Sequence, residues 1–149
     1  MPDSSRATIA ERVAAIKARL TLPAFQAPMF LVSGPELVIA ACKAGVIGSF
    51  PTMNARPIEV LEEWFERITA ELAEAEKESP GKVAPWAANL IVHRTFERFD
   101  EDLALVQKYK PDIVITALGV CLADLPDKRA RIPNRPFQIR SCRRCALAM

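Results

Sequence analysis

Short apolar segments alternate with amphipathic helical segments along most of this chain, and that alternation restricts the fold more than any other feature. The apolar segments lack the every-second-residue polar pattern of a half-exposed strand, as parallel strands covered on both faces require. They are Ala24–Phe30, Val46–Phe50, Val83–Val92 and Ile113–Leu118. The sequence therefore predicts an α/β fold on a parallel sheet, either a barrel or a doubly wound sheet.

The segments between these strands have helical periodicity. Apolar residues spaced by three and four positions predict helices over residues 7–20 and 58–78, and residues 100–110 begin with acidic side chains and end with lysines. Ser33 is predicted to cap a further helix that ends at Gly45, a residue that adopts the left-handed conformation at low cost. Strands and helices thus follow each other as βα units.

Glycine usage favours the barrel. The chain has five glycines, and they form neither a phosphate loop nor a GxGxxG motif, which argues against a dinucleotide-binding sheet. Four strands cannot close a barrel that needs eight. We therefore expect an incomplete TIM (β/α)8 barrel of about four βα units. Its predicted parts are an N-terminal helix (residues 1–21), the partial barrel (residues 22–119) and an irregular tail (residues 120–149).

The tail differs from the rest of the chain in charge and pattern. Residues 1–119 carry 13 basic and 16 acidic side chains, whereas residues 120–149 carry 7 and 2. The tail has three prolines and no regular periodicity, so we expect it to be irregular. A frameshifted or truncated reading frame would explain this change, and sequencing the locus would test that hypothesis. Cys142 and Cys145 are not accompanied by a second Cys or His pair, so no metal site is predicted.

Composition argues against several other classes of protein. No apolar run approaches the roughly 20 residues that span a bilayer, and the first 20 residues lack the apolar core of a secretory signal. Four cysteines in 149 residues do not suggest a disulfide framework. The basic tail lacks interleaved aromatic residues that would stack on bases. We therefore expect a cytoplasmic protein without a membrane or nucleic-acid partner.

Two places carry candidate site residues. Ala27, Pro28 and Met29 stand where the first predicted strand ends, because proline removes a ladder donor. They are either a plain strand terminus or a place where the backbone groups beside the proline are free to meet a ligand. Asn89 is an amide within an apolar strand, and it needs a partner that is either the neighbouring backbone or a ligand. The single histidine, His93, is expected to be a solvated loop residue.

Together these segments resemble the opening of the nitronate monooxygenases, also called 2-nitropropane dioxygenases, which are FMN-dependent TIM barrels. The resemblance covers roughly residues 22–119. Flavin-dependent enoyl reductases and IMP dehydrogenases share looser versions of the first segment. The segments that carry the resemblance are Phe25-Gln26-Ala27-Pro28-Met29, Val32-Ser33-Gly34-Pro35-Glu36-Leu37, Ala44-Gly45-Val46-Ile47-Gly48-Ser49-Phe50 and Asn89-Leu90-Ile91-Val92.

The resemblance implies a function and a cofactor. It implies FMN resting on the backbone of Ala27, Pro28 and Met29, with the Asn89 side chain bonded to the cofactor, and oxidation of alkyl nitronates by O2 to carbonyl compounds and nitrite. The family's catalytic histidine and phosphate-binding segment lie in the second half of its barrel, and His93 does not match that histidine. We therefore expect a truncated chain that is inactive alone. Alternatives are another flavin barrel enzyme, such as an enoyl reductase, or a non-catalytic fragment that associates through its open sheet edge.

Overall fold

The computed structural model describes residues 9–93, 95–117 and 137–140. Helices and strands alternate through this part of the chain, with one 3-10 turn, η1, after the first strand. The elements in chain order are α1 (Ile9–Ala18), α2 (Pro35–Lys43), β1 (Gly48–Pro51), η1 (Thr52–Asn54), α3 (Ile58–Glu78), β2 (Trp86–Ile91), α4 (Phe99–Tyr109), β3 (Ile113–Ala117) and β4 (Phe137–Arg140). The predicted helices and the three later predicted strands correspond to these elements with shifted ends.

The four strands form one parallel sheet in the order β1-β2-β3-β4. Helix α3 connects β1 to β2, and α4 connects β2 to β3, as parallel neighbours require. Asn89 stands in register with Pro51 of β1 and with Ile115 of β3. The carboxyl ends of β1, β2 and β3 therefore meet at one edge of the sheet.

The outer face of the sheet is the face that α2, α3 and α4 cover. Phe50, Leu90 and Val114 belong to the same buried cluster as the apolar residues of α2, α3 and α4. Phe65 of α3 lies edge-on to Phe50 and Trp86, at ring-centroid distances of 5.9 and 5.2 Å. Because α2, α3 and α4 all pack on one face, the arrangement matches part of an α/β barrel rather than a doubly wound sheet.

The first predicted strand, Ala24–Phe30, is wrong as a strand. This segment makes a single parallel bridge, between Phe25 and Ile47. The Gln26 N–H donates to the Ile47 carbonyl (2.8 Å), and the Ile47 N–H donates to the Ala24 carbonyl (3.1 Å). Pro23 and Pro28 lack N–H donors on either side of this bridge, which explains why the ladder does not extend.

The tail prediction needs correction for residues 137–140. These residues form β4, which pairs with β3 from Ile113↔Phe137 to Thr116↔Arg140. The open edge of β3 offers unpaired backbone groups that a short extended segment can satisfy. Residues 118–136 and 141–149, with Cys142 and Cys145, lie outside the described residues. Within the described residues, no helix is long and apolar enough to cross a membrane.

Candidate functional site

Along β1, β2 and β3, the inner face of the sheet, opposite the face that α2, α3 and α4 cover, is apolar apart from Ser49 and Asn89. At the amino ends, Ile47, Ala87 and Ile113 form an apolar cluster with residues of the α1 region. On the same face Ser49 stands in register with Ala87, and Asn89 stands in the next row with Pro51 and Ile115, because side chains repeat every second residue on a strand. Both polar residues are buried. Asn89 therefore lies closer than Ile47, Ala87 and Ile113 to the carboxyl ends of the strands, the edge at which α/β proteins bind ligands.

The amino end of the inner face also contains a cavity, of about 180 Å³. Its lining is apolar apart from Lys17, so it offers few groups that could orient a polar ligand. The lining residues are Val13, Ile16, Lys17, Leu20, Pro23, Phe25, Ile47 and Ile113. We therefore place the candidate site at the opposite, carboxyl end of the strands.

Asn89 forms one side of the candidate site, which we call the strand wall. The residue is 7% exposed, and its side-chain oxygen Oδ1 is buried without a hydrogen-bond donor among the described residues. An unpaired buried acceptor costs about 1–3 kcal/mol. A native structure that retains such an atom needs an explanation, and a ligand N–H is one.

The other side of the site is residues 26–33, which we call the loop wall. Here the Ser33 hydroxyl accepts from the Met29 N–H (2.9 Å) and donates to the Ala27 carbonyl (3.1 Å). The Gln26 side chain joins this loop to β1, because its Oε1 accepts from the Ser49 N–H at 2.9 Å. The expectation of free backbone groups therefore does not hold for Met29 N–H and Ala27 C=O.

Ser33 differs from its prediction as a helix cap. The N-cap of α2 is Gly34, and it makes no side-chain capping bond. The Ser33 hydroxyl is unable to serve α2 because the Met29 N–H, the Ala27 carbonyl and the Gln26 amide already engage it. A residue that the sequence assigns to a helix end thus belongs to the loop wall.

Asn54 of η1 fixes the far end of the loop wall. Its Nδ2 donates to the carbonyls of Met29 (3.0 Å) and Ser33 (2.9 Å), and its Oδ1 accepts from the Leu31 N–H (3.0 Å). Leu31 has φ +61°, a left-handed conformation that is unfavourable for a residue with a side chain. Side chains of the loop remain exposed, among them Phe30 at 52% and Leu31 at 74%. The loop wall is therefore a fixed backbone that presents apolar side chains.

A buried ion pair lies behind η1. Arg98 Nε donates to Asp102 Oδ1 at 2.7 Å, and the Asp102 side chain is fully buried. Burial raises the pKa of Asp102, while the nearby Thr52 and Arg98 side chains oppose that shift. The other carboxylate oxygen, Oδ2, has no hydrogen-bond partner among the described residues. A buried carboxylate of this kind is stable only while Arg98 stays in place.

His93 stands apart from these groups. It follows β2, is exposed, and its Nδ1 lies 2.8 Å from the Thr95 hydroxyl and accepts from the Thr95 N–H at 3.3 Å. This local bonding ties Nδ1 to its own loop. Its neighbour Arg94 lies outside the described residues. Among the residues that the structure describes, no group of three or more His, Cys, Asp or Glu side chains could hold a metal ion.

Three of the polar residues that connect the two walls were not predicted from the sequence, namely Asn54, Arg98 and Asp102. One signal was available for Asn54, which lies four residues after the end of the predicted strand Val46–Phe50, in a segment of the kind that often serves a site. Arg98 and Asp102 are four residues apart, which indicates a helical ion pair but not its burial. The carbonyls that Arg98 binds lie 43 and 46 residues away in sequence.

FMN is the cofactor that the resemblance implies, and the described residues fit it in two respects. The unpaired Oδ1 of Asn89 is a buried acceptor of the kind that a ring N–H requires. The half-exposed Met29 side chain and Pro28 offer apolar surface beside a fixed backbone. Asn89 lies two residues before the end of β2, and Pro28 and Met29 lie three and four residues after the bridge residue Phe25.

The comparisons with known proteins bear on the fold. No family model and no curated protein matches this sequence. Among solved structures, the chain is similar to a point mutant of FabK from Thermotoga maritima, with a TM-score of 0.55 and 16% sequence identity. The match covers 87% of this chain but 38% of the FabK chain. The similarity shows that this chain has the fold of part of a larger α/β protein.

Proposed function

We propose that this chain forms part of a flavin site in an FMN-dependent oxidoreductase similar to the nitronate monooxygenases. The observation that carries the proposal is the buried Oδ1 of Asn89 on the inner face, which has no hydrogen-bond partner among the described residues. A donor from outside the described residues would remove the free-energy cost of that atom. The sequence resemblance suggests that the donor belongs to FMN.

The two walls would contribute differently to binding. Asn89 would accept a hydrogen bond from the flavin ring, and it is held in the middle of a strand with neighbours on both sides. Ala27, Pro28 and Met29 would contact the ring through their backbone and apolar atoms, while Ser33 holds the loop in shape. A bound FMN would supply the redox chemistry, and the chain would orient it and limit the access of water.

FMN titration of the apo chain tests the proposal. We expect saturable quenching of flavin fluorescence and a rise in melting temperature. Asn89→Ala should weaken FMN binding by about tenfold or more, since a lost buried hydrogen bond costs about 1–3 kcal/mol. Gln107→Ala, which removes an amide from α4, serves as the control. Absence of both responses in the wild-type chain would contradict a flavin site.

The proposal includes a substrate, and two candidate reactions are to be distinguished. Nitrite release from an alkyl nitronate under O2 would support the nitronate monooxygenase reaction. NADH-dependent reduction of an enoyl thioester would instead support the enoyl reductase alternative. The FabK similarity concerns the fold and is compatible with both. Because the resemblance places the base and phosphate-binding segment in the second half of the family barrel, we expect negligible turnover from this chain alone.

A non-catalytic alternative has its own supporting observation. Apolar side chains are exposed along the segment beside β1, which carries only one bridge to the sheet. They are Leu22, Phe25, Met29, Phe30, Leu31 and Val32. Exposed apolar surface next to an unpaired edge favours self-association. Sedimentation of the purified chain over a range of concentrations tests this: a monomer at every concentration would count against association.

A further inference from the structure

We infer that Arg98 and Asp102 are positioning residues that hold both walls of the proposed flavin site through η1. The role of this arrangement in flavin binding rests on the proposed function, but the hydrogen bonds that support the inference are present in the chain itself. Each wall is bonded to a different residue of η1, and Arg98 binds both ends of that turn.

The loop wall depends on η1 through Asn54. One side chain there satisfies two carbonyls and one N–H of the loop, at distances from 2.9 to 3.0 Å. The N–H belongs to Leu31, whose left-handed backbone is unfavourable for a residue with a side chain and therefore needs support from its surroundings. A shift of η1 would break all three bonds and release the loop.

The strand wall depends on η1 through Thr52. The Thr52 hydroxyl lies 3.4 Å from the Asn89 carbonyl, at the long end of the hydrogen-bond range, and it also bonds to the Asp102 carboxylate; Thr52 and Asn89 are both buried. Pro51, the residue before Thr52, is the register partner of Asn89 across the β1–β2 ladder. Thr52 therefore fixes η1 directly against the residue whose side chain carries the unpaired oxygen.

Arg98 holds η1 from the side of α4. Its Nη1 donates to the Ala55 carbonyl (2.7 Å) and its Nη2 to the Thr52 carbonyl (2.9 Å), which lie at the two ends of the turn. Its third nitrogen, Nε, donates to Asp102 one helical turn further along α4. Only a guanidinium has three nitrogens in a fixed plane, so lysine cannot make this set of bonds.

Asp102 sets the orientation of the guanidinium. Its side chain is fully buried, whereas that of Arg98 is 19% exposed. Exposed ion pairs make small contributions because water competes for both partners. Burial removes that competition here, so the carboxylate directs Nε and leaves Nη1 and Nη2 facing η1. The ion pair therefore fixes the position of η1 relative to α4, in addition to any contribution to the free energy of unfolding.

Amide hydrogen exchange of the apo full chain tests the inference without FMN. In Arg98→Lys we expect the Met29, Leu31 and Ser33 amides to exchange about tenfold faster or more, with little change at the β3 amides. Arg67→Lys is the matched control, because Arg67 forms an exposed pair with Glu71 at the same spacing. Leu72→Ala is the control for general loss of stability.

The exchange pattern distinguishes a positioning role of Arg98 from a contribution to global stability alone. In Arg98→Lys, equal acceleration of amide exchange at the loop wall and at β3, the pattern that we expect for Leu72→Ala, would overturn the inference. Loop-wall amides that exchange no faster in Arg98→Lys than in Arg67→Lys would overturn it as well. Should Arg98→Lys fail to fold, Asp102→Asn keeps an oxygen acceptor for Nε and should give the same pattern with a smaller factor.

FMN binding provides the second measurement. We expect Arg98→Lys to raise the dissociation constant of FMN by about tenfold and to alter the visible circular dichroism of bound flavin, with neither change in Arg67→Lys. A wild-type chain that binds no FMN would contradict the proposed function, while the exchange pattern would still decide the role of Arg98. Unchanged flavin affinity and spectrum in Arg98→Lys would overturn the inference.

Discussion

The two faces of the sheet are built by different interactions. The outer face is closed by apolar side chains such as Phe50, Phe65 and Leu90, all fully buried. The loop wall beside the inner face is held by hydrogen bonds among Ser33, Asn54 and other polar groups, and Asn89 Oδ1 on that face has no partner among the described residues. Apolar burial is therefore concentrated on the outer face, and the inner face retains a buried acceptor whose burial costs free energy.

The largest expected effect tests the outer face. Phe65→Ala removes a fully buried ring that lies against Phe50, Trp86 and Tyr109. We expect the free energy of unfolding to fall by about 3–5 kcal/mol, because the transfer and cavity costs add. Urea denaturation measures the change. Phe30→Ala is the control, since Phe30 is half exposed and its truncation should cost about 0.5 kcal/mol or less.

The outer face was also the part that the sequence predicted best. The apolar stripe over residues 58–78 became α3, with Leu61, Phe65 and Ile68 buried on one side. Such a stripe is local, since residues three and four apart share a helix face. The helix end at Gly45, after α2, was also predicted from a local signal, and this glycine has φ +77° and lies beside the Thr21 side chain.

The second prediction concerns charge on the outer face. Burial raises the pKa of the Cys42 thiol to about 11, from an ordinary 9.0. A raised folded-state pKa gives stability that is fully present below pH 9 and is lost as the pH rises through 11. Relative to Cys42→Ala, the wild-type free energy of unfolding should therefore fall between pH 9 and 11, by up to about 1.4 kcal/mol per pH unit.

Urea unfolding at fixed pH values between 7 and 11 measures this difference. Subtracting the Cys42→Ala series removes the contribution of the lysines that titrate in the same range. A difference that stays constant from pH 7 to 11 would show that the thiol ionises as easily in the folded chain as in the unfolded one. The packing of α2 against Gly48 at the start of β1 would then be more open than the structure describes.

The third prediction concerns the inner face, where we expect a substitution to raise the free energy of unfolding. Asn89→Leu replaces the unpaired amide by an apolar side chain of similar shape, and it should raise the free energy of unfolding by about 1–2 kcal/mol. The same change should abolish flavin binding. Ser49→Ala is the matched control: its hydroxyl donates to the Gln26 carbonyl, so the substitution should lower stability. A loss of stability in Asn89→Leu would mean that the Asn89 oxygen is satisfied within the apo chain.

The site was harder to predict than the core because its bonds join distant residues. Asn89 was singled out, since a polar residue within an apolar strand is visible locally. The loop wall was identified but misjudged: Ala24–Phe30 is not a strand, and Ser33 does not cap a helix. Asn54 and Arg98 were missed because their roles depend on partners 21 to 46 residues away. No local periodicity encodes such pairs.

The smallest expected effect tests strain in the loop wall. Leu31 has φ +61° and a side chain that is 74% exposed, so Leu31→Gly removes a backbone cost and little buried surface. The left-handed conformation costs about 1–2 kcal/mol for a non-glycine residue, and glycine adds about 0.4–1 kcal/mol of unfolded-state entropy. We therefore expect a net gain of about 0.5–1 kcal/mol in urea denaturation. Leu22→Gly, at an exposed residue without positive φ, should instead lower stability. Equal losses in both variants would show that the hydrogen bonds from Asn54 do not hold Leu31 in a strained conformation.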